Sequence, residues 1–164
     1  MMRRVIAPVA VALLGAFLVN MKCVQPLLCN RMRATIIHRN ELIDRATPYR
    51  AAAILRQNIN DAERCLAKTP GDVSLLFQEG EAWRRLGDND NAIAAFNTAL
   101  QYDRRPEIYI ALGIAHEGAG HQQLAINALM QAARFYRDPG RIDYTMPGAA
   151  NRELVKQRVN DENR

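Results

Sequence analysis

Two adjacent stretches of equal length decide the fold of this chain: VSLLFQEGEAWRRLGDNDNAIAAFNTALQYDRR at residues 73–105 and PEIYIALGIAHEGAGHQQLAINALMQAARFYRD at residues 106–138. Small residues recur in them at a constant offset of 33 positions, which pairs Gly80 with Gly113, Ala82 with Ala115, Gly87 with Gly120, Ala92 with Ala125 and Ala99 with Ala132. A fixed period of this size is typical of stacked repeat units, which bury their apolar faces against one another. Because such stacks present an extended surface, the repeat indicates binding of another molecule without chemistry.

The residues in and around the repeats favour helices throughout. Apolar side chains recur at three- and four-residue spacing, whereas alternating polar and apolar runs rich in Val, Thr and Tyr are missing. Thr47-Pro48 predicts the start of one helix, since threonine can cap a helix and proline suits its first position. Asp72 predicts the cap of the next helix, and Gly87-Asp88 predicts the break after it. The expected fold class is therefore all-α.

This arrangement resembles the tetratricopeptide repeat, an antiparallel helix pair of about 34 residues with small and large side chains at set places. Val73 to Arg105 matches that pattern well, and Thr47 to Asp72 resembles the second helix of a degenerate repeat. Pro106 to Asp138 matches less fully, because His116 stands where an aromatic residue is usual. The resemblance implies an α-solenoid of about two to two and a half repeats. The residues that it assigns to the structural core are Gly80, Trp83, Ala92, Phe96, Ala99, Gly113, Ala125, Leu129 and Ala132.

The resemblance also implies a binding face, because the first helix of each tetratricopeptide pair lines the concave side of the domain. The residues that it assigns to this groove are Ser74, Phe77, Glu81, Arg84, Arg85, Glu107, Ile110, Ile114 and Glu117. Phe77 and Ile110 are expected as apolar anchors. Arg84 either meets a carboxylate of a bound peptide, which its planar fork suits, or pairs with Glu81 at helical spacing. The expected partner is a peptide or helix from a membrane complex.

Residues 1–21 have the layout of a targeting segment. Two arginines, Arg3 and Arg4, precede an uncharged apolar run from Val5 to Val19. A cleaved signal peptide and an uncleaved anchor helix both remain open, because no small-x-small cleavage site follows the run clearly. We expect this segment to contact membrane lipids and to place the protein in a bacterial cell envelope, either anchored in the inner membrane or periplasmic.

The positive charge is concentrated before the repeats. Residues 1–56 contain nine basic and two acidic residues, which gives them a charge of +7. Because the whole chain has a net charge of +5, the remaining residues carry −2. Residues 22–46 are predicted to be a basic linker arm that contacts lipid, contacts a partner or is simply solvated. No nucleic acid is expected, because aromatic residues do not interleave with the arginines. Cys23 and Cys29 in this arm either close a small disulfide loop or stay unpaired. Cys65 is expected as a small core residue on a helix.

By these signals the chain divides into four parts. They are a signal peptide or anchor at 1–21, the basic linker arm at 22–46, the helical repeat domain at 47–138, and a linker with a C-terminal capping helix at 139–164. The capping helix is predicted within Asn151 to Val159 from the helical spacing of Leu154, Val155 and Val159. Stacks of repeats need such terminal caps.

No grouping of residues suggests an enzyme, a cofactor or a metal site. His116 and His121 are five residues apart and separated by glycines, whereas zinc-binding histidines on a helix are four apart. The sequence therefore favours a membrane-associated or periplasmic scaffold for assembly or stabilisation of an envelope complex. The alternative is an accessory structural subunit of a membrane enzyme complex, held mainly through its N-terminal transmembrane segment.

Overall fold

The structure, a computed structural model, describes residues 27–135, 155–159 and 161. These residues form helices joined by short turns, and no strand occurs among them. The helices are α1 (27–43), α2 (Pro48–Leu66), α3 (Val73–Arg85), α4 (Asn89–Tyr102), α5 (Pro106–Gly118), α6 (Gln122–Ala133) and the short α7 (155–159). The all-α fold expected from the sequence is confirmed for this part of the chain.

Consecutive helices pack as pairs, α1 with α2, α3 with α4 and α5 with α6. The pairs are joined because α2 also packs on α3 and α4 on α5, while α3 contacts α5 directly. One core cluster runs through α3 to α6, and it consists of Leu76, Ala92, Phe96, Ala99, Ile108, Ala111, Leu112, Ala115 and Ala128. Alanines dominate this cluster, so the helix axes approach closely around the few large side chains. Burial of each of these large side chains contributes about 1.5–3 kcal/mol.

The turns inside the two sequence repeats have the same geometry. Gly87 and Gly120 both take a positive φ, of 85° and 78°, which residues with a side chain rarely adopt. After Gly87 the N–H of Asp88 donates to the carbonyl of Trp83 at 3.0 Å, and the equivalent bond 33 residues later is 2.8 Å long. These bonds close each helix in a Schellman-type cap. At both positions it is the backbone conformation, and not a lack of space for a side chain, that requires glycine.

The predicted helix caps have different outcomes. Asp72 caps α3, because its Oδ1 accepts a hydrogen bond from the N–H of Leu75 at 3.2 Å. Thr47 occupies the capping position of α2 with Pro48 after it, but its side chain makes no capping hydrogen bond. Thr47 is exposed, so water can satisfy the free N–H groups at this end of α2.

Residues 27–43 differ from the linker arm expected for residues 22–46, because they form helix α1. Cys29, Ile36 and Ile43 lie seven residues apart on one side of this helix and are buried. Cys29 and Ile36 pack in a cluster with Ala62 of α2 and Leu75 of α3. Helix α1 is therefore the first member of a third pair, completed by α2. The sequence predicted only the second helix of this pair, as part of a degenerate repeat. The described residues contain both helices of the pair.

Two arginines of the predicted free arm are engaged inside the fold. Arg33 forms an ion pair with Asp72, the residue that caps α3. Arg39 Nη1 lies 2.7 Å from Asp61 Oδ2 of α2. Carboxylates from other parts of the fold therefore partly neutralise the positive charge of α1. The charge of residues 22–46 taken alone did not predict this.

The disulfide of this region joins α1 to α2. Cys29 is bonded to Cys65, with their Cα atoms 5.5 Å apart and the two positions 36 residues apart in sequence. From the sequence, a bond between Cys23 and Cys29 was one of two open alternatives, and Cys65 was expected as a small core residue. Cys65 is buried, but as the partner of Cys29, because the antiparallel packing of α1 and α2 brings these two positions together. Cys23 lies outside the described residues.

The two ends of the chain are described only in part. The predicted anchor at residues 1–21 lies outside the described residues, as does the linker predicted before the capping helix. The capping helix itself is present over 155–159, where Val155 is fully buried in a cluster with Ile126 and Leu129 of α6. Leu154 lies outside the described residues.

Candidate functional site

Helices α1, α3 and α5 lie side by side and form one surface of the molecule. We call this surface, built from residues 27–43, Val73–Arg85 and Pro106–Gly118, the first-helix face. Between α1 and α3, Asn40 Nδ2 donates to Gln78 Oε1 at 2.6 Å, and Arg85 Nη1 lies 3.5 Å from Asp44 Oδ1. Helices α3 and α5 are in direct contact. The face on which the tetratricopeptide resemblance places a groove is therefore continuous across three helices.

A chain of hydrogen bonds beneath this face fixes the position of α1. Arg39 Nη1 donates to Asp61 Oδ2 at 2.7 Å and to Asn58 Oδ1 at 3.2 Å. Asn58 Nδ2 in turn donates to Asn40 Oδ1 at 3.0 Å. Asn58 is almost completely buried, and a buried amide must be hydrogen-bonded if its desolvation is not to cost stability. The network therefore defines one register of α1 on α2 and α3.

Two clefts lie on the first-helix face, one on each side of Phe77. The first encloses about 220 Å³ and is lined by Ser74, Phe77, Arg105, Glu107 and Ile108. The second encloses about 190 Å³ and is lined by Asn40, Leu55, Phe77, Gln78, Glu81, Ala82 and Arg85. Small-molecule and cofactor sites usually enclose about 300–1,000 Å³. Each cleft is therefore closer in size to one or two amino-acid side chains than to a cofactor.

Phe77 is the shared wall of both clefts. Its half-buried ring packs on Phe96 of α4, with the ring centroids 5.8 Å apart and the planes tilted by 50°. Tilted aromatic pairs at this distance are favourable. The ring is consequently held in place by the core while one side remains open to the surface. This is the geometry that an apolar anchor of a binding face needs.

Both clefts carry charges of each sign at their rims. In the first, Glu107 stands beside Arg105, whose Nε lies 2.9 Å from Asp103 Oδ2. In the second, Glu81 and Arg85 of α3 both line the cleft. The first cleft therefore favours an uncharged apolar side chain, whereas the second, lined largely by Asn40, Gln78, Glu81 and Arg85, favours a polar one beside the ring of Phe77.

Arg84 forms an ion pair within its own helix. Its Nε donates to Glu81 Oε1 at 3.0 Å and its Nη2 donates to Glu81 Oε2 at 2.8 Å. Hydrogen bonding to Glu81 raises the pKa of Arg84 above its ordinary value. Of the two alternatives drawn from the sequence, the structure has the internal pair. The fork of Arg84 is therefore not aimed at a ligand carboxylate.

The groove residues predicted on α5 are about as exposed as those on α3, but only Glu107 among them lines a cleft. Ile110 is half-buried against the cluster of α6 and α7 residues that includes Leu129 and Val155, and it differs from Phe77 because it lines neither cleft. Ile114 and Glu117 are half-buried, and neither lines the two clefts. The predicted residues that do line them are Ser74, Phe77, Glu81, Arg85 and Glu107.

The residues assigned to the repeat core lie inside the molecule. Eight of the nine are buried, and Trp83 is partly exposed while packing on two apolar clusters. Gly80 faces the ring of Phe96, and Gly113 faces the side chain of Leu129 at the equivalent place. Leu129 thus fills the position that Phe96 fills one repeat earlier.

Two titratable groups near the site have shifted pKa values. Burial, together with the neighbouring charge of Glu63, raises the pKa of Glu79 on α3. Burial, together with His121, lowers the pKa of His116 on α5. The His116 Nδ1 is buried with no hydrogen-bond partner among the described residues, and the two imidazole rings are 5.7 Å apart. Both groups are less easily charged in the fold than in water.

Sequence reasoning missed the cleft residues contributed by other elements. Asn40 and Leu55 come from the first pair, and Arg105 and Ile108 from the start of α5. The signal for α1 was present in the seven-residue spacing of Cys29, Ile36 and Ile43, but the surrounding arginines obscured it.

Among the described residues, no helix is both long enough and apolar enough to cross a membrane. Within the same residues, no group of three or more ligand-type side chains is placed to hold a metal ion. A comparison of the chain with known protein families gives no match, and a comparison with curated proteins gives none either.

Proposed function

We propose that this chain is a tetratricopeptide-like scaffold of the bacterial cell envelope that holds a peptide or helix of a membrane complex on its first-helix face. The single observation that carries this proposal is the pair of clefts around Phe77, which opens on the face where tetratricopeptide domains bind their partners. A partner side chain of apolar character inserts beside Phe77, and polar groups at the rims orient its backbone.

The repeat supports the assignment to this class of scaffold. Two units 33 residues apart share their glycine turns and their small-to-large contacts between first and second helices. The third pair, α1 with α2, extends the face by one helix. Stacked helix pairs of this kind serve as extended binding surfaces.

The cysteine pairing supports placement in the cell envelope. Disulfides persist in oxidising compartments such as the bacterial periplasm and are rare in the cytosol. Cys29 and Cys65 form such a bond between two helices of the fold. The apolar run from Val5 to Val19 directs the chain to that compartment or holds it at the membrane.

Affinity purification from detergent-solubilised membranes, followed by mass spectrometry, tests the binding function. Replacement of Ser74 by Arg fills the first cleft without removing a core side chain. Asn97→Arg adds the same charge at an exposed position of α4 and serves as the control. We expect the Ser74 variant to lose its co-purifying protein by about tenfold or more, as blocked hot-spot pockets do. Equal recovery with both variants would refute a role for this cleft.

A second experiment separates the scaffold from a subunit that is held only by its N-terminus. Residues 1–21 are replaced by a cleaved export signal, which leaves α1 and the disulfide in place. A scaffold that binds through the first-helix face still captures its partner, and loss of capture favours the transmembrane alternative. Recovery of the unaltered protein in the soluble cytoplasm alone contradicts the envelope placement.

A further inference from the structure

Helix α1 carries exposed apolar residues on the side opposite its packed face. Leu27, Leu28 and Leu42 are 63%, 51% and 48% exposed, although side chains of this type are usually inside. We call this side, together with the adjoining turn and the start of α2, the outer face of α1. Its residues are Leu27, Leu28, Arg31, Ala34, His38 and Leu42 of α1, Arg45 of the turn and Arg50 of α2. The terminal unit of a helix stack normally turns a polar side to water. The outer face departs from that rule, so it is expected to be covered.

Two shallow hollows lie along this face, one near each end of the helix. The first is lined by Leu27, Leu28, Asn30, Arg31 and Ala34, and encloses about 550 Å³. The second is lined by Leu42, Arg45, Ala46, Arg50 and Ile54, and encloses about 190 Å³. Each combines leucine with arginine at its edge. A helix of this length extends for about 25 Å.

The arginines of the outer face are free, unlike those of the packed face. The guanidinium groups of Arg31, Arg45 and Arg50 make no hydrogen bond or ion pair with any residue in the described part of the chain. Two acidic residues lie nearby, Glu41 at 3.4 Å from His38 and Asp44 beside Arg85, so the three arginines outnumber them. The outer face therefore presents a positive charge to whatever covers it.

The chain itself brings this face close to the predicted membrane segment. The apolar run ends at Val19, eight residues before Leu27. Eight residues span at most about 30 Å when fully extended. A bilayer that holds the run thus lies within reach of the first hollow.

We propose that the outer face of α1 lies along the surface of an anionic lipid bilayer. Leu27, Leu28 and Leu42 enter the boundary between head groups and acyl chains, while the three free arginines contact lipid phosphates. Leucines separated by unpaired arginines suit a bilayer surface, where the charged heads reach the phosphates and the apolar stems stay in the interface. This inference rests on the membrane attachment proposed above and is independent of the clefts around Phe77.

Photo-crosslinking of the full-length protein in liposomes tests this proposal. The liposomes contain phosphatidylethanolamine and phosphatidylglycerol with a diazirine-bearing phospholipid, and labelled peptides are identified by mass spectrometry. We expect crosslinks on Leu27, Leu28 and Leu42. Leu124 and Phe135 are about as exposed but belong to the other end of the stack, and they should remain unlabelled. Labelling of residues 1–21 is recorded separately and reports the anchor alone.

A charge variant provides the second arm of the experiment. Each arginine near an anionic membrane surface changes partitioning by roughly fivefold. The triple variant Arg31→Gln, Arg45→Gln and Arg50→Gln should therefore lose roughly tenfold or more of the α1 crosslinks while residues 1–21 stay labelled. The matched control removes three exposed cations outside the outer face, two on α2 and one in the turn after it, by the changes Arg56→Gln, Arg64→Gln and Lys68→Gln.

The outcomes that overturn the proposal are distinct from a failure of the anchor. Labelling of residues 1–21 without labelling of α1 shows that the outer face does not lie on the bilayer and refutes the proposal. Equal labelling in pure phosphatidylcholine, or an equal loss in the α2 control, removes the role of the three arginines. Absence of label on residues 1–21 contradicts the attachment, whatever is found on α1.

Discussion

The ring of Phe96 fills the space that a side chain on Gly80 would occupy. A Cβ atom built on Gly80 lies 2.5 Å from Cε1 of Phe96, a separation that real Cβ atoms do not show. At the equivalent place 33 residues later, a Cβ on Gly113 lies 2.8 Å from Cδ2 of Leu129. The two contacts set how closely the first and second helices of each unit approach.

Replacement of Gly80 by Ala should therefore destabilise the protein. Overpacking of a dense core costs about 1–3 kcal/mol, which exceeds the gain of about 1 kcal/mol from the better helix propensity of alanine. The free energy of unfolding, measured in urea, is expected to fall by about 1 kcal/mol or more. Gly113→Ala should cost less, because the end of Leu129 can move more easily than an aromatic ring.

A double-mutant cycle checks the cause of that loss. In a Phe96→Leu background the Gly80→Ala change should cost about 1 kcal/mol less than in the native chain, since the ring that meets the new Cβ is gone. Equal costs in the two backgrounds would show that the ring of Phe96 is not what excludes a side chain at Gly80.

The disulfide between Cys29 and Cys65 should be a major source of stability. It closes a loop between positions 36 residues apart. Chain-entropy reasoning assigns about 3–4 kcal/mol to a bond across a loop of this length. Cys29→Ser is expected to lower the free energy of unfolding by that amount, whereas Cys23→Ser should leave it unchanged. Non-reducing peptide mapping should recover the two cysteines in one linked fragment, and a Cys23–Cys29 fragment would contradict the pairing.

Replacement of Glu79 by Gln should stabilise the protein at neutral pH. Burial raises the pKa of Glu79, so the folded state binds this proton more tightly than the unfolded state. The stabilisation that comes from protonating Glu79 is complete below its ordinary pKa of 4.5. It is lost as the pH rises through the higher pKa that Glu79 has in the folded state. Thermal unfolding at several pH values should show a benefit of the variant at pH 7 that shrinks towards pH 4. Glu117→Gln, at a half-buried position of α5, provides the comparison.

Acid should weaken the fold through His116. Burial lowers its pKa, so the unfolded state takes up the proton first as the pH falls below the ordinary value of 6.5. The contribution of neutral His116 to the free energy of unfolding is therefore complete above pH 6.5 and declines below it. His116→Phe places an uncharged aromatic residue where the other repeat has Trp83 and should remove part of this decline between pH 7 and pH 5. Persistence of the full decline in that variant would assign the acid sensitivity to other groups.

The elements from α3 to α6 were predictable because their signals are local. A cap such as Asp72 and a turn such as Gly87 act within a few residues, and the small residues of one helix face its immediate neighbour. Helix α1 escaped prediction because its apolar face is narrow and its arginines resemble those of a solvated arm. Their partners, Asp61 and Asp72, lie on helices that follow much later in the chain.

The candidate site was predictable in part for the same reason. Phe77 and Ser74 lie on the helix that the repeat pattern identifies, so their position on the first-helix face follows from the period. Ile110 packs against a cluster that joins residues of α6 with Val155 of α7, which is distant in sequence. The pairing of Arg84 with Glu81 was foreseen as one of two possibilities, and only the folded geometry selects between them.

The amino-acid sequence by itself determined the helices, their turns and the 33-residue unit, because capping, glycine backbone freedom and helical spacing are properties of neighbouring residues. The tertiary structure decided which cysteines are bonded, which arginines are neutralised and which face of α1 remains open. These depend on the packing of helices from separate parts of the chain, where burial makes an unpaired charge costly and so selects one arrangement among many.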